Sequence, residues 1–93
     1  MRNKEVVNRF IWRNDDNAKG SNLKISGKKL INYATCIAYQ GIGEIVLNNQ
    51  SYSSTTRVHQ NQIRRETPED VLRVIESEQE FKDYILNEYE EAV

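Results

Sequence analysis

Apolar and polar positions alternate in short runs through the first half of the chain and recur at helical spacing in the second. Leu23 and Ile25 alternate with Asn22, Lys24 and Ser26, the pattern of a strand with one face buried. Ser26-Gly27-Lys28-Lys29 supplies a hairpin turn. Leu30 to Tyr39 reads as one long strand. Ile31, Tyr33, Thr35, Ile37 and Tyr39 share one face, with Leu30, Asn32, Ala34, Cys36 and Ala38 on the other. Both faces are fairly apolar, which predicts a central strand covered on at least one side. Gly41-Ile42-Gly43 gives the next turn, Glu44 to Leu47 a short strand, and Asn48-Asn49-Gln50 a turn into Tyr52. Glu5 to Arg13 fits two periods. Val6, Val7, Phe10 and Ile11 fall at helical spacing, whereas Val6, Phe10 and Trp12 share a face at period two; the β-branched and aromatic content favours a strand. Asn14 to Ser21 is a loop rich in turn formers.

Past Tyr52 the period changes. Thr55 or Thr56 can cap a helix running to about Arg65, with Val58, Gln62 and Arg65 on one face and His59 and Ile63 on another. Thr67-Pro68-Glu69-Asp70 predicts a second helix start: a capping hydroxyl, proline at the first helical position, acids in the first turn. Val71, Leu72, Val74 and Ile75 supply its apolar side. Ser77-Glu78-Gln79-Glu80 is a capping box that restarts or continues the helix. Phe81, Tyr84, Ile85 and Tyr89 then form an amphipathic stripe, suited to covering a sheet face or to forming a dimer seam. The expectation is a single α+β domain over residues 1–93: a small antiparallel β-sheet, a meander within 5–54, followed by C-terminal α-helices packed on it.

Composition narrows the class. Ninety-three residues support one modest core, and 38% hydrophobic with 29% charged residues describes a globular chain. The apolar stretch Val6 to Trp12 is broken by Asn8 and Arg9, so no signal peptide or membrane span is expected there. Cys36 is the single cysteine; it can make no internal disulfide and lacks the companions of a zinc site, and the default compartment is a reducing cytoplasm.

Charge changes the picture more. Residues 1–65 carry eleven bases and four acids, a net +7, whereas 66–93 carry ten acids and two bases, a net −8. Such a split implies two faces for different partners or one half neutralising the other. Tyr52 to Gln60, with the hydroxyl run Ser53, Ser54, Thr55 and Thr56, marks the boundary and reads as a hinge between the halves.

Four groups of side chains carry candidate chemistry. His59 and Cys36 could form a nucleophilic dyad, but Cys36 sits within a buried-strand pattern and reads as a small core residue. Thr55, Thr56 and Arg57 at a helix start could hold an anion; the plainer reading is that one threonine caps the helix. Lys24, Lys28, Lys29, Arg64 and Arg65 could follow a nucleic-acid backbone, or guard a sheet edge and complement a helix dipole. Glu78, Glu80, Asp83, Glu88 and Glu90 could imitate phosphates in another protein's basic channel, or simply be a solvated face. No carboxylates are spaced as a calcium loop, Asp15-Asp16 being an isolated pair, and no cofactor is expected.

Asn17-Ala-Lys-Gly-Ser-Asn-Leu at 17–23, Leu30-Ile-Asn-Tyr at 30–33, Ile37-Ala38 and the Tyr-Ser-x-Thr-Thr-x-x-His-Gln run ending at Gln60 resemble small proteins of bacteriophage and prophage genomes. The resemblance covers roughly residues 10–65 and implies a phage origin, with no assigned activity for the group. The leading expectation is a non-enzymatic inhibitor or modulator of a host nucleic-acid-handling defence complex, of anti-CRISPR or anti-restriction type, acting in the host cytoplasm by acidic mimicry. The alternatives are a nucleic-acid-binding accessory protein using the basic half, and a structural homo-oligomer, such as a homodimer, built through the C-terminal stripe. The partner is then a host protein or nucleoprotein complex, or nucleic acid, with no membrane role.

Overall fold

The computed structural model describes residues 1–12, 15 and 17–92, with the side chains of 89–92 outside that description. Arg13, Asn14 and Asp16, the second member of the Asp15-Asp16 pair, and the side chains of Tyr89 and Glu90 therefore lie outside that description. Three helices and five strands follow in the order α1 (Asn3–Trp12), β1 (Leu23–Ser26), β2 (Lys29–Asn32), β3 (Thr35–Gly41), β4 (Glu44–Asn48), α2 (Ser54–Glu66), β5 (Leu72–Ile75) and α3 (Glu78–Ala92). The strands form one sheet in sequence order. β1 to β4 are an antiparallel meander, as the alternating pattern predicts. β5, however, runs parallel to β4, so the sheet is mixed rather than purely antiparallel. A parallel neighbour requires a crossover, and α2 is that crossover.

The N-terminal segment is a helix, not a strand. Val6, Val7, Phe10 and Ile11 are all buried while Trp12 is 58% exposed, the result of a 100° step that places the first four on one stripe and turns the tryptophan away. Burying four apolar side chains outweighs the modest strand propensity of their types. Asn3 fastens the helix start to β1, its Oδ1 accepting from the backbone N–H of Asn22 at 3.1 Å.

The single strand expected over Leu30–Tyr39 is instead a hairpin. Asn32 pairs with Thr35, and Tyr33 takes a left-handed φ of 54° in the two-residue turn between them. Such a conformation costs a non-glycine residue on the order of 1 kcal/mol. Asn22 offsets it: its carbonyl accepts from the Tyr33 N–H and its Oδ1 from the Tyr33 hydroxyl, both at 3.1 Å. At Gly43, φ 73° is supplied by glycine in the β3–β4 turn, as the Gly-x-Gly signal implies.

The segment after α2 is the largest departure. Thr67 ends a helix instead of starting one, its N–H and Oγ1 both donating to the Ile63 carbonyl at 3.0 and 2.6 Å. Pro68 is extended, Glu69–Val71 makes one 3₁₀ turn, and Leu72–Ile75 becomes the outer parallel strand. Leu72, Val74 and Ile75, beside an otherwise unpaired β4 edge, gain more from ladder hydrogen bonds than from an isolated short helix. Two helices, not three, thus follow Tyr52, and helix is not confined to the C-terminal part.

Helices cover both faces. α1 lies over β1 and α2 over β4, and with Leu23, Ile25, Leu30, Ile37, Ala38, Ile45, Leu47 and Ile63 they enclose the larger cluster. α3 lies on the opposite face, where Phe81, Tyr84 and Ile85 pack on Tyr39, Val46, Ile75 and Cys36. The C-terminal stripe therefore covers a sheet face. The basic and acidic halves interleave in one sheet, so Tyr52–Gln60 is not a hinge between two bodies.

Candidate functional site

The hydroxyl run is spent on structure. Ser53 caps α2, rather than Thr55 or Thr56: its Oγ accepts from the Thr56 N–H at 3.2 Å. Thr56 is buried and its hydroxyl donates to Asn32 Oδ1 at 2.7 Å, while Thr55 is exposed. Arg57 donates to Asn49 Oδ1 at 2.7 Å and to the Asn49 carbonyl and Ser51 Oγ at 3.3 Å, so its guanidinium pins the 49–51 loop. Behind it, Gln60 is fully buried and donates to the carbonyls of Asn48 at 2.7 Å and Gln50 at 3.0 Å. Asn48 in turn donates to the Cys36 carbonyl and the Tyr52 hydroxyl at 3.2 and 2.9 Å. Gln50 Oε1 accepts from the Glu78 N–H at 2.7 Å, tying this amide network to the start of α3. The amides Asn48, Asn49 and Gln50 read as turn residues in the sequence; their density beside Gln60 was the only signal of a buried network.

His59 and Cys36 lie on opposite faces of the sheet, His59 on α2 and Cys36 in the cluster under α3, so they form no dyad. Burial pushes the Cys36 thiol up to about 11, which leaves almost no thiolate at neutral pH. His59 is 6% exposed, and among the described residues neither ring nitrogen has a hydrogen-bond partner; burial lowers its pKa below the usual 6.5. The unfolded chain therefore binds a proton near 6.5 that the folded chain refuses. Stability is full above about pH 6.5 and falls as pH drops towards the lower folded value, by at most about 1.4 kcal/mol per pH unit. Urea unfolding between pH 7.5 and 5 should show this loss, and His59→Leu should flatten that part of the slope. Equal slopes in both proteins would contradict a neutral buried imidazole.

The bases do not converge. Lys24, Lys28 and Lys29 are exposed at the β1–β2 hairpin. Lys24 and Lys29 alternate with the buried Leu23, Ile25 and Leu30, which places them on the α3 face of the sheet. Arg64 and Arg65 are exposed on the last turn of α2, on the other face.

The acids divide by role. Glu88 faces inward: its Oε1 accepts from the Ile42 N–H at 3.0 Å and from the Tyr84 hydroxyl at 2.9 Å. The same hydroxyl also contacts Glu44, so the two carboxylates share its one proton, and Arg73 stands 3.8 Å from Glu44 and 5.2 Å over the Tyr84 ring. Burial first, then these carboxylates, raise the Tyr84 pKa and keep the phenol protonated. A Cβ at Gly41 would come within 2.5 Å of the Tyr84 hydroxyl, so glycine is what lets α3 close on the β3 end. Spacing gave no hint of this cluster, because Glu44 and Tyr84 are forty residues apart in sequence. Glu78 lies half-buried in the first turn of α3, 4.0 Å from Lys82. Glu80 and Asp83 are exposed and, with Glu76, Asn87, Val74 and Arg73, line a groove of about 610 Å³ between α3 and β5. Asp83 accepts from Gln79 and Glu76 from Asn49, both at 3.0 Å, and among the described residues no base lies within 4 Å of Glu76, Glu80 or Asp83.

Among the described residues no helix is long and apolar enough to cross a membrane, and no three His, Cys, Asp or Glu are grouped to hold a metal ion. No protein-family model, curated protein or solved structure matches the chain.

Proposed function

We propose that the chain is a non-enzymatic binding protein of the phage anti-defence type, which presents the acidic flank of α3 to a basic, nucleic-acid-handling surface of a host complex. The observation that carries this reading is the placement of Glu76, Glu80 and Asp83 around one groove whose single base, Arg73, is already held by Glu44 and the Tyr84 ring. Carboxylates fixed on a helix and a strand end stand in for phosphates and compete for the arginines and lysines that hold DNA or RNA. The phage resemblance of residues 10–65 supplies the biological context. Glu78 and Glu88 contribute charge but are engaged within the fold, so Glu80 and Asp83 are the contacts to alter first.

The reading in which the basic residues hold nucleic acid draws less support. Lys24 and Lys29 are separated from Arg64 and Arg65 by the thickness of the sheet, and Arg57 is committed to Asn49.

Immobilised protein should retain a partner from nuclease-treated bacterial lysate, and added double-stranded DNA should release it. Glu80→Lys with Asp83→Lys should abolish retention while leaving the thermal midpoint near that of the parent, since both positions are exposed. Unchanged retention by the double variant would refute the acidic mimic.

A further inference from the structure

The two faces of the sheet are unequally covered. Strands about 4.8 Å apart make a five-stranded sheet about 19 Å across, and neighbouring helices pack about 8–10 Å apart, so each face accommodates two helices. α1 and α2 fill one face, but among the described residues α3 is alone on the other, seated on Tyr39, Val46 and Ile75 over the β3–β5 half. The register puts Lys24 opposite Ile31 and Ile31 opposite Cys36, one row across the uncovered half; Ser26, Lys29 and Tyr39 form the next row. Lys24, Ser26 and Lys29 are exposed and Ile31 is half-buried.

Between this bare half and α3 runs a groove of about 480 Å³, walled by Ala34 and Cys36 on the sheet side and by Phe81, Ile85 and Leu86 on the helix. Leu86 is 57% exposed at its edge. Lys29 and Lys82 line the groove and Lys24 stands beyond it; among the described lining residues the one acid is Glu78, which sits 4.0 Å from Lys82. An apolar floor with a basic border selects an occupant with an apolar stripe and acidic flanks.

We infer that this groove receives one amphipathic helix of a partner protein, lying beside α3 with its apolar residues against Ile31, Cys36, Ile85 and Leu86 and its acidic residues towards Lys24, Lys29 and Lys82. It completes on the α3 face the two-helix layer that α1 and α2 make on the other. The surface is on the opposite flank of α3 from Glu80 and Asp83, and the inference stands independently of the function proposed for those acids.

Cys36, the only cysteine, reports occupancy directly. The probe is a synthetic eighteen-residue helix with leucines at i, i+3, i+4 and i+7 and glutamates on both flanks; its control carries lysines for the glutamates. The acidic peptide should slow alkylation of Cys36 by iodoacetamide at pH 9 saturably and at least about tenfold, and the lysine peptide should not. Lys29→Glu with Lys82→Glu should weaken the acidic peptide at least about tenfold with an unchanged thermal midpoint. Equal protection by both peptides, or none from the acidic one at millimolar concentration, would overturn the inference. So would protection that grows with the protein's own concentration in the absence of peptide, which would assign the groove to a second copy.

Discussion

Phe81→Ala should lower the stability of the chain by about 3–5 kcal/mol, because the ring is 1% exposed and is the deepest anchor of α3 on the sheet. A domain of this size has about 5–15 kcal/mol in total. The expected drop in thermal midpoint is at least about 12 °C. Tyr84 and Ile85 flank the ring and are only half-buried, so neither can fill the cavity without pulling α3 off Cys36 and Tyr39. Leu86→Ala on the same helix, at an exposed position, should stay within about 0.5 kcal/mol of the parent. Urea and thermal unfolding of the two variants check the pair. A Phe81→Ala midpoint within a few degrees of the parent would mean that α3 is not held to the sheet as described.

The second large effect belongs to Gln60. Gln60→Glu keeps the shape but replaces an amide that donates to two carbonyls, at 2.7 and 3.0 Å, with an oxygen that can only repel them when ionised. The site is fully buried, so a lone carboxylate there should cost about 3–5 kcal/mol at pH 8. The folded state raises the pKa of such a carboxyl above its unfolded value, so the loss is greatest at high pH and recovers as pH falls and the group protonates. Gln60→Met, which removes the donors without adding charge, should cost about 1–3 kcal/mol and show no recovery in acid. Chemical denaturation of both variants at pH 8 and pH 5 separates the two. A Gln60→Glu protein as stable as Gln60→Met at pH 8 would show that the amide network is open to water.

Where the sequence was legible, side-chain period stated the answer. Leu23 with Ile25, the Glu44–Leu47 run and the Phe81-Tyr84-Ile85 stripe each needed only one burial rule to place. Where it was not, a long-range contact outweighed a local signal. Tyr33 hides a turn inside an alternating run, because the backbone strain there is offset by Asn22, eleven residues away. Thr67-Pro68-Glu69-Asp70 has every local mark of a helix start, yet the open edge of β4 draws Leu72–Ile75 into the sheet. Val6 and Val7 show the converse: strand-forming residues made helical by the core that α1 shares with Ile63.

The candidate surfaces divided in the same way. Charge counting located the acidic segment but gave no reason to separate Glu80 and Asp83, which face solvent, from Glu88, which holds the β3–β4 turn. The hydroxyl run looked chemical because caps and anion sites use the same residue types; only the partners of Ser53, Thr56 and Arg57 show which use applies.

The parallel pairing of β5 with β4 sets the order in which the molecule can be completed. β1 to β4 are joined by short turns and can pair as soon as they leave the ribosome, whereas β5 has to wait for α2 to form and swing the chain back. Until then β4 is an outer strand of Ile45, Val46 and Leu47 with one row of backbone groups unpaired and no α3 over Val46. Cutting the chain after Glu66 would therefore not release an acidic appendage from a working basic half. It would leave that nascent, adhesive sheet as the permanent product, prone to join its own kind edge to edge.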